Sequence, residues 1–154
     1  RDLVLWNGAC MVHEIFSREK IEKLRLEYPG AKFIAHPECE EHILAEADYI
    51  GSTSGMLKYT IENESDIFIV ATESGIIHQM QKASPNKKFI PAPPTNACAC
   101  NDCPHMKLNT LEKLYNCMKY DLPEVNLSAE IIERAKKPIE RMLDISEKLG
   151  LKYY

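Results

Sequence analysis

The chain has 154 residues, 45% of them hydrophobic, and a formal net charge of -4 at pH 7. This size allows one ordinary hydrophobic core, and the slightly acidic balance argues against binding to nucleic acid or anionic membranes through a basic surface. No apolar run approaches the ~20 residues of a membrane-spanning helix and no secretion signal is recognisable, so we expect the six cysteines to be reduced thiols of a cytoplasmic protein.

The chain begins inside an apolar run. Arg1 has no methionine before it, and residues 3–6 read as a strand that enters a turn at Asn7-Gly8. We therefore expect an N-terminal part of the protein to be missing from this sequence. Cys10 follows directly after the turn.

Strands and helices then alternate with short connections. The predicted elements are a helix from Ser17 to Pro29-Gly30, a strand at 32–35, a helix at 40–47, a strand at 49–50, a helix at 56–62, a strand at 66–71, a helix from Gly75 and a strand at 88–90. This alternation predicts an α/β fold with a short parallel sheet covered by helices.

The last part of the chain is predicted to be helical only. Residues 109–112 resemble a capping box, Ser128 is the expected N-cap of a second helix, Pro138 should kink or restart that helix, and Gly150 suits its C-terminal end. We expect these helices to pack on something outside the small sheet.

Polar residues follow the predicted strands at the points where the strands end. They are Cys10, His36 with Glu38, Ser52 to Ser54, Thr72 with Glu73, and the cysteine-rich loop around Cys103. Because parallel sheets bind ligands beyond the carboxyl ends of their strands, we predict the functional site on this rim.

Three cysteines, Cys98, Cys100 and Cys103, lie in a loop flanked by prolines. Proline stiffens the backbone, so this loop can hold its thiols in place for a metal or a cluster. The spacing is not the paired C-x-x-C pattern of a zinc ribbon, and a disulfide within C-x-C would close a strained ring. Iron–sulfur clusters usually take four thiolates, and an iron with fewer can act as a Lewis acid. Structural zinc and a disulfide nevertheless stay open.

The other candidates each have an ordinary structural alternative. Cys39 and Cys117 are expected to pack as small apolar residues. His36 and Glu38, on either side of Pro37, suit proton transfer, or they form a solvated surface turn.

The two remaining loops are similarly ambiguous. The loop Gly51–Gly55 suits a phosphate or carboxylate at a helix N-terminus, or it only caps that helix. Glu73 is a candidate to face the site because it follows the most buried strand, and helix capping by Thr72 or Ser74 is the ordinary alternative. His13, three residues after Cys10, could line the same cavity.

Five stretches, in this order, resemble the quinolinate synthase (NadA) family. They are 6–13 (WNGACMVH), 36–39 (HPEC), 51–56 (GSTSGM), 71–75 (ATESG) and 103–107 (CPHMK). The resemblance implies three similar, pseudo-symmetric αβα domains of three layers around a central [4Fe-4S] cluster, each contributing one cysteine. Cys10 and Cys103 would be two of the ligands, and the chain would be the C-terminal half.

The resemblance also implies a division of the chain. Residues 1–13 would end the second α/β domain, and 14–97 would form the third. Residues 98–154 would comprise the cluster-binding loop and C-terminal helices that pack on the missing first domain. Two departures stand out: Asn7 replaces a frequent proline, and C-x-C-x-x-C replaces the C-x-x-C-x-x-C of some members, so a redox-switching disulfide is not expected here.

Membership would imply a cytoplasmic transferase of NAD biosynthesis that condenses iminoaspartate with dihydroxyacetone phosphate to quinolinate. His36 and Glu38 would be catalytic, and His36, Pro37, Glu38, Ser52 and Thr53 would contact substrate. The open iron would polarise the substrate, the missing N-terminal half would be a partner, and L-aspartate oxidase would supply iminoaspartate. The alternative function is a non-catalytic, zinc- or thiol-stabilised α/β module that binds a phosphorylated ligand.

Overall fold

The computed structural model describes residues 2, 4, 8–95 and 101–151. The chain divides into two compact units, Arg1–Leu108 and Asn109–Tyr154. The strand predicted at 3–6 and the turn residue Asn7 lie wholly or largely outside the described residues, as do Cys98 and Cys100. The predicted assignment of the chain to repeated domains stays a prediction.

The first unit alternates helices and strands, as predicted. Its elements are α1 (Met11–Glu14), α2 (Arg18–Glu27), β1 (Lys32–Ala35), α3 (Glu41–Leu44), β2 (Tyr49–Ile50), α4 (Thr53–Glu62), β3 (Ile67–Ala71), α5 (Gly75–Ala83), β4 (Lys88–Pro91) and a 3-10 turn (Met106–Leu108). Ser17 caps α2 by accepting from the Lys20 amide, so the predicted start of this helix is confirmed.

The four strands form one parallel sheet in the order β2-β1-β3-β4. The two central strands, β1 and β3, end together, because Ala35 lies opposite Ala71. The residues that follow these two strands therefore leave the sheet side by side. This confirms the α/β class and places the carboxyl ends of all four strands along one edge.

Side chains alternate between two hydrophobic clusters on opposite faces of the sheet. Phe33 and Ile69 pack in one cluster with Ile21 of α2 and Ile43 of α3. The neighbouring strand positions, Ile34, Phe68 and Val70, pack in the other cluster with Met56 of α4 and Met80 of α5. Strands buried on both faces explain the continuous apolar runs in the sequence. The sheet is thus the middle of three layers.

Two predicted helix boundaries were wrong. The helix expected at 40–47 spans only Glu41–Leu44, because the chain must return to the sheet at Asp48. There the Asp48 amide donates to the Phe33 carbonyl over 2.7 Å, and its carboxylate accepts from the Phe33 amide over 2.8 Å. The helix expected to start at residue 56 starts at Thr53, because Ser52 caps it by accepting from the Gly55 amide.

The second unit contains two helices, α6 (Leu111–Tyr120) and α7 (Ala129–Lys148). Thr110 caps α6 by accepting from the Lys113 amide, so the capping box predicted at 109–112 was wrong in its register. Ser128 caps α7 as predicted. The helix α7 continues through Pro138 without a restart. Among the described residues, no helix is long and apolar enough to cross a membrane.

Candidate active site

The candidate site lies where β1 and β3 end, beside the short helix α1. Cys10 is the N-cap residue of α1, and its carbonyl accepts from the amides of His13 and Glu14 over 2.8 and 3.2 Å. This turn directs His13 into the interior, where it is 7% exposed. Cys10 stays half-buried.

Both nitrogens of the His13 ring have partners from distant parts of the chain. Nδ1 lies 3.1 Å from Glu38 Oε2, and Nε2 lies 3.1 Å from Thr72 Oγ1. In a neutral ring, which carries one N–H, Nδ1–H donates to the ionised Glu38 carboxylate and Nε2 accepts from the Thr72 hydroxyl. The three side chains therefore form a hydroxyl–imidazole–carboxylate chain.

The pKa of His13 is lowered, mainly by burial and then by the neighbouring His36, against an opposing effect of Glu38. A lowered pKa favours the neutral form of the ring, in which one nitrogen donates and the other accepts. A neutral imidazole between a hydroxyl and a carboxylate can take a proton on one side and release one on the other. His13, which the sequence analysis named only as a residue that could line the cavity, is the centre of the network.

His36 stacks on His13, with ring centroids 4.5 Å apart and planes 10° from parallel. Its Nδ1 accepts from the amide of Glu38 over 3.4 Å. In a neutral ring this leaves the proton on Nε2, which can donate to a ligand. The turn through Pro37 therefore brings both His36 and Glu38 against the His13 ring, and their catalytic role stays a prediction.

The described cysteines differ in their burial. Cys10 and Cys103 are half-buried, and Cys117 is exposed on α6. Cys39 is buried, and burial raises the pKa of its thiol to about 12; the thiol donates to the Ala71 carbonyl over 3.5 Å. Thiolates are the metal ligands, so Cys39 is a poor candidate and packs as a small apolar residue. For Cys117 the predicted packing was wrong, since this side chain is exposed.

The backbone around Cys103 is attached to the turn after β3. Glu73 accepts from the amide of Gly75 over 2.7 Å with one oxygen and from the amide of Cys103 over 3.5 Å with the other. The amide of Ser74 donates to the carbonyl of Asn101 over 3.2 Å, and the hydroxyl of Ser74 donates to Asp102. This turn thus positions the Cys103 segment at the rim.

The capping role expected for Thr72 or Ser74 was wrong. Ser74 makes no side-chain cap on α5, because its hydroxyl is bound to Asp102. Thr72 is 2% exposed and bonds to His13 instead. Thr72 and Glu73 are consecutive, so one turn contacts both the His13 network and the Cys103 segment.

Backbone hydrogen bonds bring the segment that follows Cys10 close to the proline-rich segment after β4. The Thr95 amide donates to the Ile15 carbonyl over 2.7 Å, and the Ser17 amide donates to the Pro93 carbonyl over 3.0 Å. The side chain of Asn101 is fully buried and donates to the Ala92 carbonyl. The segments that carry Cys10 and Cys103 are therefore both held against the end of β4.

The glycines of Gly51–Gly55 have a structural explanation. A Cβ on Gly51 would lie 2.6 Å from the Tyr49 hydroxyl, and one on Gly55 would lie 2.7 Å from it. The Tyr49 ring is in turn stacked on Tyr59, with centroids 4.4 Å apart. Ser52 caps α4 with its hydroxyl. The loop thus forms the cap and the start of α4 and packs against an aromatic ring, and its use as an anion site stays a prediction.

The donor atoms at the rim suit metal chemistry. The ligand atoms of Cys10, His13 and Glu38 lie within 4.8 Å of one another. Two partly exposed thiols, Cys10 and Cys103, also suit thiolate ligation of an iron–sulfur cluster, although two are fewer than such clusters usually take. The residues fit a cluster only as part of a larger ligand set.

The sequence analysis missed Thr72 as a partner of His13. The available signal was the order of the strands: if β1 and β3 are neighbours in register, the residues after Ala35 and Ala71 must lie side by side. Hydrophobic periodicity predicts each helix or strand separately, so it does not show which strands are neighbours in the sheet. Asn101, which is fully buried and whose side-chain oxygen Oδ1 has no hydrogen-bond partner among the described residues, was missed as well.

Comparison with known proteins gives matches to the family that the sequence motifs resemble. A family model described as quinolinate synthetase A protein matches residues 1–144. The chain is 62% identical over 147 residues to the quinolinate synthase of Gloeothece citriformis, covering 96% of this chain and 46% of that protein. It is 59% identical over 146 residues to that of Rippkaea orientalis, covering 95% and 45%, and 57% identical over 148 residues to that of Chloroherpeton thalassium, covering 96% and 46%. The chain spans about half the length of these curated relatives.

Proposed function

The chain belongs to the quinolinate synthetase A family, and we propose that it forms part of a quinolinate synthase, a transferase of NAD biosynthesis. In the proposed reaction iminoaspartate condenses with dihydroxyacetone phosphate, and phosphate and water are lost as the quinolinate ring forms. L-aspartate oxidase is the proposed supplier of iminoaspartate. Because the relatives are about twice as long, the activity is assigned to a polypeptide of their full length that contains this chain, called below the full-length polypeptide.

The observation that carries the proposal is the chain of hydrogen bonds from Thr72 through His13 to Glu38, on the rim that also bears two half-buried thiols. Condensation and loss of water require protons to be removed from carbon and delivered to oxygen. Glu38 is 58% exposed and accepts from a neutral imidazole, so it can exchange a proton with a ligand while His13 holds its orientation. His36 adds an N–H donor at the same position.

Cys10 and Cys103 are the proposed ligands from this chain to a [4Fe-4S] cluster. When bound, the cluster would supply a Lewis acid at an iron without a thiolate. The turn from Thr72 to Ser74 supports this assignment, because it holds the Cys103 segment beside the His13 network. The rest of the ligand set is assigned to the part of the full-length polypeptide outside this chain, in an arrangement of three similar domains.

Substrate contacts are proposed for His36, Pro37, Glu38, Ser52 and Thr53. The amides at the start of α4 and the positive end of its helix dipole favour a carboxylate or phosphate beside Ser52 and Thr53. The Ser52 hydroxyl already accepts from Gly55, so it would offer a ligand its remaining donor capacity.

The test is product formation by the full-length polypeptide after anaerobic reconstitution with iron and sulfide. We expect quinolinate and released phosphate in equal amounts from iminoaspartate and dihydroxyacetone phosphate. If the protein carries a full complement of iron and sulfide yet makes no quinolinate, the proposed activity is wrong. If it carries zinc and no sulfide, and binds a phosphorylated ligand without turnover, the non-catalytic module is the better description.

A further inference from the structure

Three different donor atoms lie close together beside the short helix α1, which Cys10 precedes, in an arrangement that suits a single metal ion. The sulfur of Cys10, a ring nitrogen of His13 and a carboxylate oxygen of Glu38 lie within 4.8 Å of one another. Around a tetrahedral zinc ion, ligand atoms are about 3.3–3.8 Å apart, given bonds of about 2.0–2.3 Å. The His13 Nδ1 to Glu38 Oε2 distance of 3.1 Å is already close to that range.

The second ring nitrogen of His13 has the partner that a metal-binding histidine needs. Such residues commonly use one nitrogen for the metal and donate the other N–H to an oxygen, which fixes the ring orientation. Thr72 Oγ1 lies 3.1 Å from His13 Nε2 in a buried position. A hydroxyl can donate or accept, so Thr72 can accept this N–H as readily as it donates to the metal-free ring.

We propose that, in protein without a cluster, Cys10, His13 and Glu38 bind one Zn²⁺ ion through Sγ, Nδ1 and a carboxylate oxygen. One sulfur, one nitrogen and one oxygen suit zinc better than the hard cations Ca²⁺ and Mg²⁺, which prefer oxygen ligands. Three protein ligands leave the fourth position to water. On binding, the Cys10 thiol releases its proton to solvent, and the His13 ring proton moves from Nδ1 to Nε2.

Zinc binding and cluster binding are mutually exclusive, because both use the sulfur of Cys10. This consequence rests on the proposed function, whereas the zinc site itself rests only on the geometry of the three side chains. Zinc bound first is therefore expected to slow the incorporation of iron and sulfide. The protein would have two metallated forms, and only the form without zinc could become the proposed enzyme.

The site is tested by zinc titration of the reduced, metal-free full-length polypeptide against a competing chelator. The Cys98→Ala/Cys100→Ala background removes the two thiols that precede Cys103 in the sequence. We expect one Zn²⁺ per chain, and Thr72→Val should weaken the affinity about 10- to 100-fold, as loss of a supporting hydrogen bond does. Glu38→Gln and His13→Gln should weaken it more, since each removes a ligand. Cys39→Ala is the matched control and should leave the affinity unchanged.

Co²⁺ in place of zinc shows which thiol binds, because a cobalt–thiolate bond produces an intense charge-transfer absorption. This absorption should be present in the background protein and in Cys103→Ala, and absent in Cys10→Ala. Glu38 is largely exposed, so Glu38→Gln is not expected to unfold the protein and its zinc affinity can be measured even if His13→Gln misfolds. Unchanged affinity in Glu38→Gln, or a cobalt–thiolate absorption that depends on Cys103 and not on Cys10, would overturn the site.

Failure of this inference can be told from failure of the proposed function. Titration with zinc uses metal-free protein and needs neither cluster nor turnover. If zinc binds as described but iron and sulfide are never incorporated, the proposed function fails and the zinc site stands. If zinc binds and reconstitution proceeds at the same rate as without zinc, the mutual exclusion is wrong.

Discussion

At the scale of single residues, burial decides which side chains can take part in chemistry. Cys10 and Cys39 both lie near the site, but only Cys10 is open enough to become a thiolate ligand. His36 and Glu38 could be selected from the sequence because a single turn joins them. Thr72 could not, because its relation to His13 depends on contacts between residues 59 positions apart.

Glu38→Gln should keep the fold and lose activity. The amide is nearly isosteric with the carboxylate but cannot exchange a proton, so turnover of the reconstituted full-length polypeptide should fall about 10²- to 10⁴-fold. Glu40→Gln is the matched control, since Glu40 is an exposed carboxylate two residues away that contacts His42. Iron and sulfide content is measured in both variants, and near-normal turnover in Glu38→Gln would remove this residue from the mechanism.

Cys39 should be the least reactive of the described thiols. With its pKa raised to about 12, it stays protonated in the folded protein at pH 8, whereas Cys117 on the surface of α6 should be alkylated rapidly. Peptide mapping after brief alkylation of native protein, and again after denaturation in urea, measures both rates. Equal labelling of the two thiols in native protein would contradict the burial of Cys39.

The same shift in pKa predicts how stability depends on alkaline pH. The unfolded chain loses the Cys39 proton near the ordinary value of 9.0, while the folded chain keeps it to about 12. The folded state therefore binds more protons in this window, and the free energy of unfolding falls as pH rises above about 9. Between pH 8 and 10 the chain should lose about 1 kcal/mol more than Cys39→Ala in urea denaturation. An equal loss in both proteins would show that Cys39 is not buried as a thiol.

At the scale of elements, most of the first unit could be predicted because its signals are local. The run from Ile67 to Ala71 is continuous and apolar, and Ser17 is a typical helix cap, as is Ser128 in the second unit. The errors occurred where tertiary contacts override local preference. The helix α3 is short because Asp48 bonds to Phe33 and returns the chain to the sheet. The expected side-chain cap of α5 is absent because the Ser74 hydroxyl donates to Asp102 instead.

Gly51, directly before the cap residue of α4, should tolerate a larger side chain only at a cost in stability. Alanine there would place a Cβ 2.6 Å from the Tyr49 hydroxyl, which must then leave its stack on Tyr59. We expect Gly51→Ala to lower the free energy of unfolding by about 1–3 kcal/mol, as overpacking does. A double-mutant cycle with Tyr49→Ala measures the cause: in that background Gly51→Ala should cost much less. The same cost in both backgrounds would show that Tyr49 is not the obstacle.

At the scale of the whole molecule, the sequence motifs identified the family because five stretches occur in order across the chain. The α/β class followed from the alternation of strands and helices, and the sheet confirms it. The order of the strands and the contacts of the β3–α5 turn could not be predicted, since both depend on long-range packing. The position of the chain within the longer relatives and the role of its C-terminal helices stay predictions.

The central claim is that Cys10 and Cys103 ligate one cluster, and iron and sulfide determination on the anaerobically reconstituted full-length polypeptide tests it most directly. The unaltered protein should contain about four iron and four sulfide per chain, as a [4Fe-4S] cluster requires. Cys10→Ala and Cys103→Ala should each lose both, whereas Cys39→Ala and Cys117→Ala should retain them. Full iron and sulfide in either Cys10→Ala or Cys103→Ala would contradict the account.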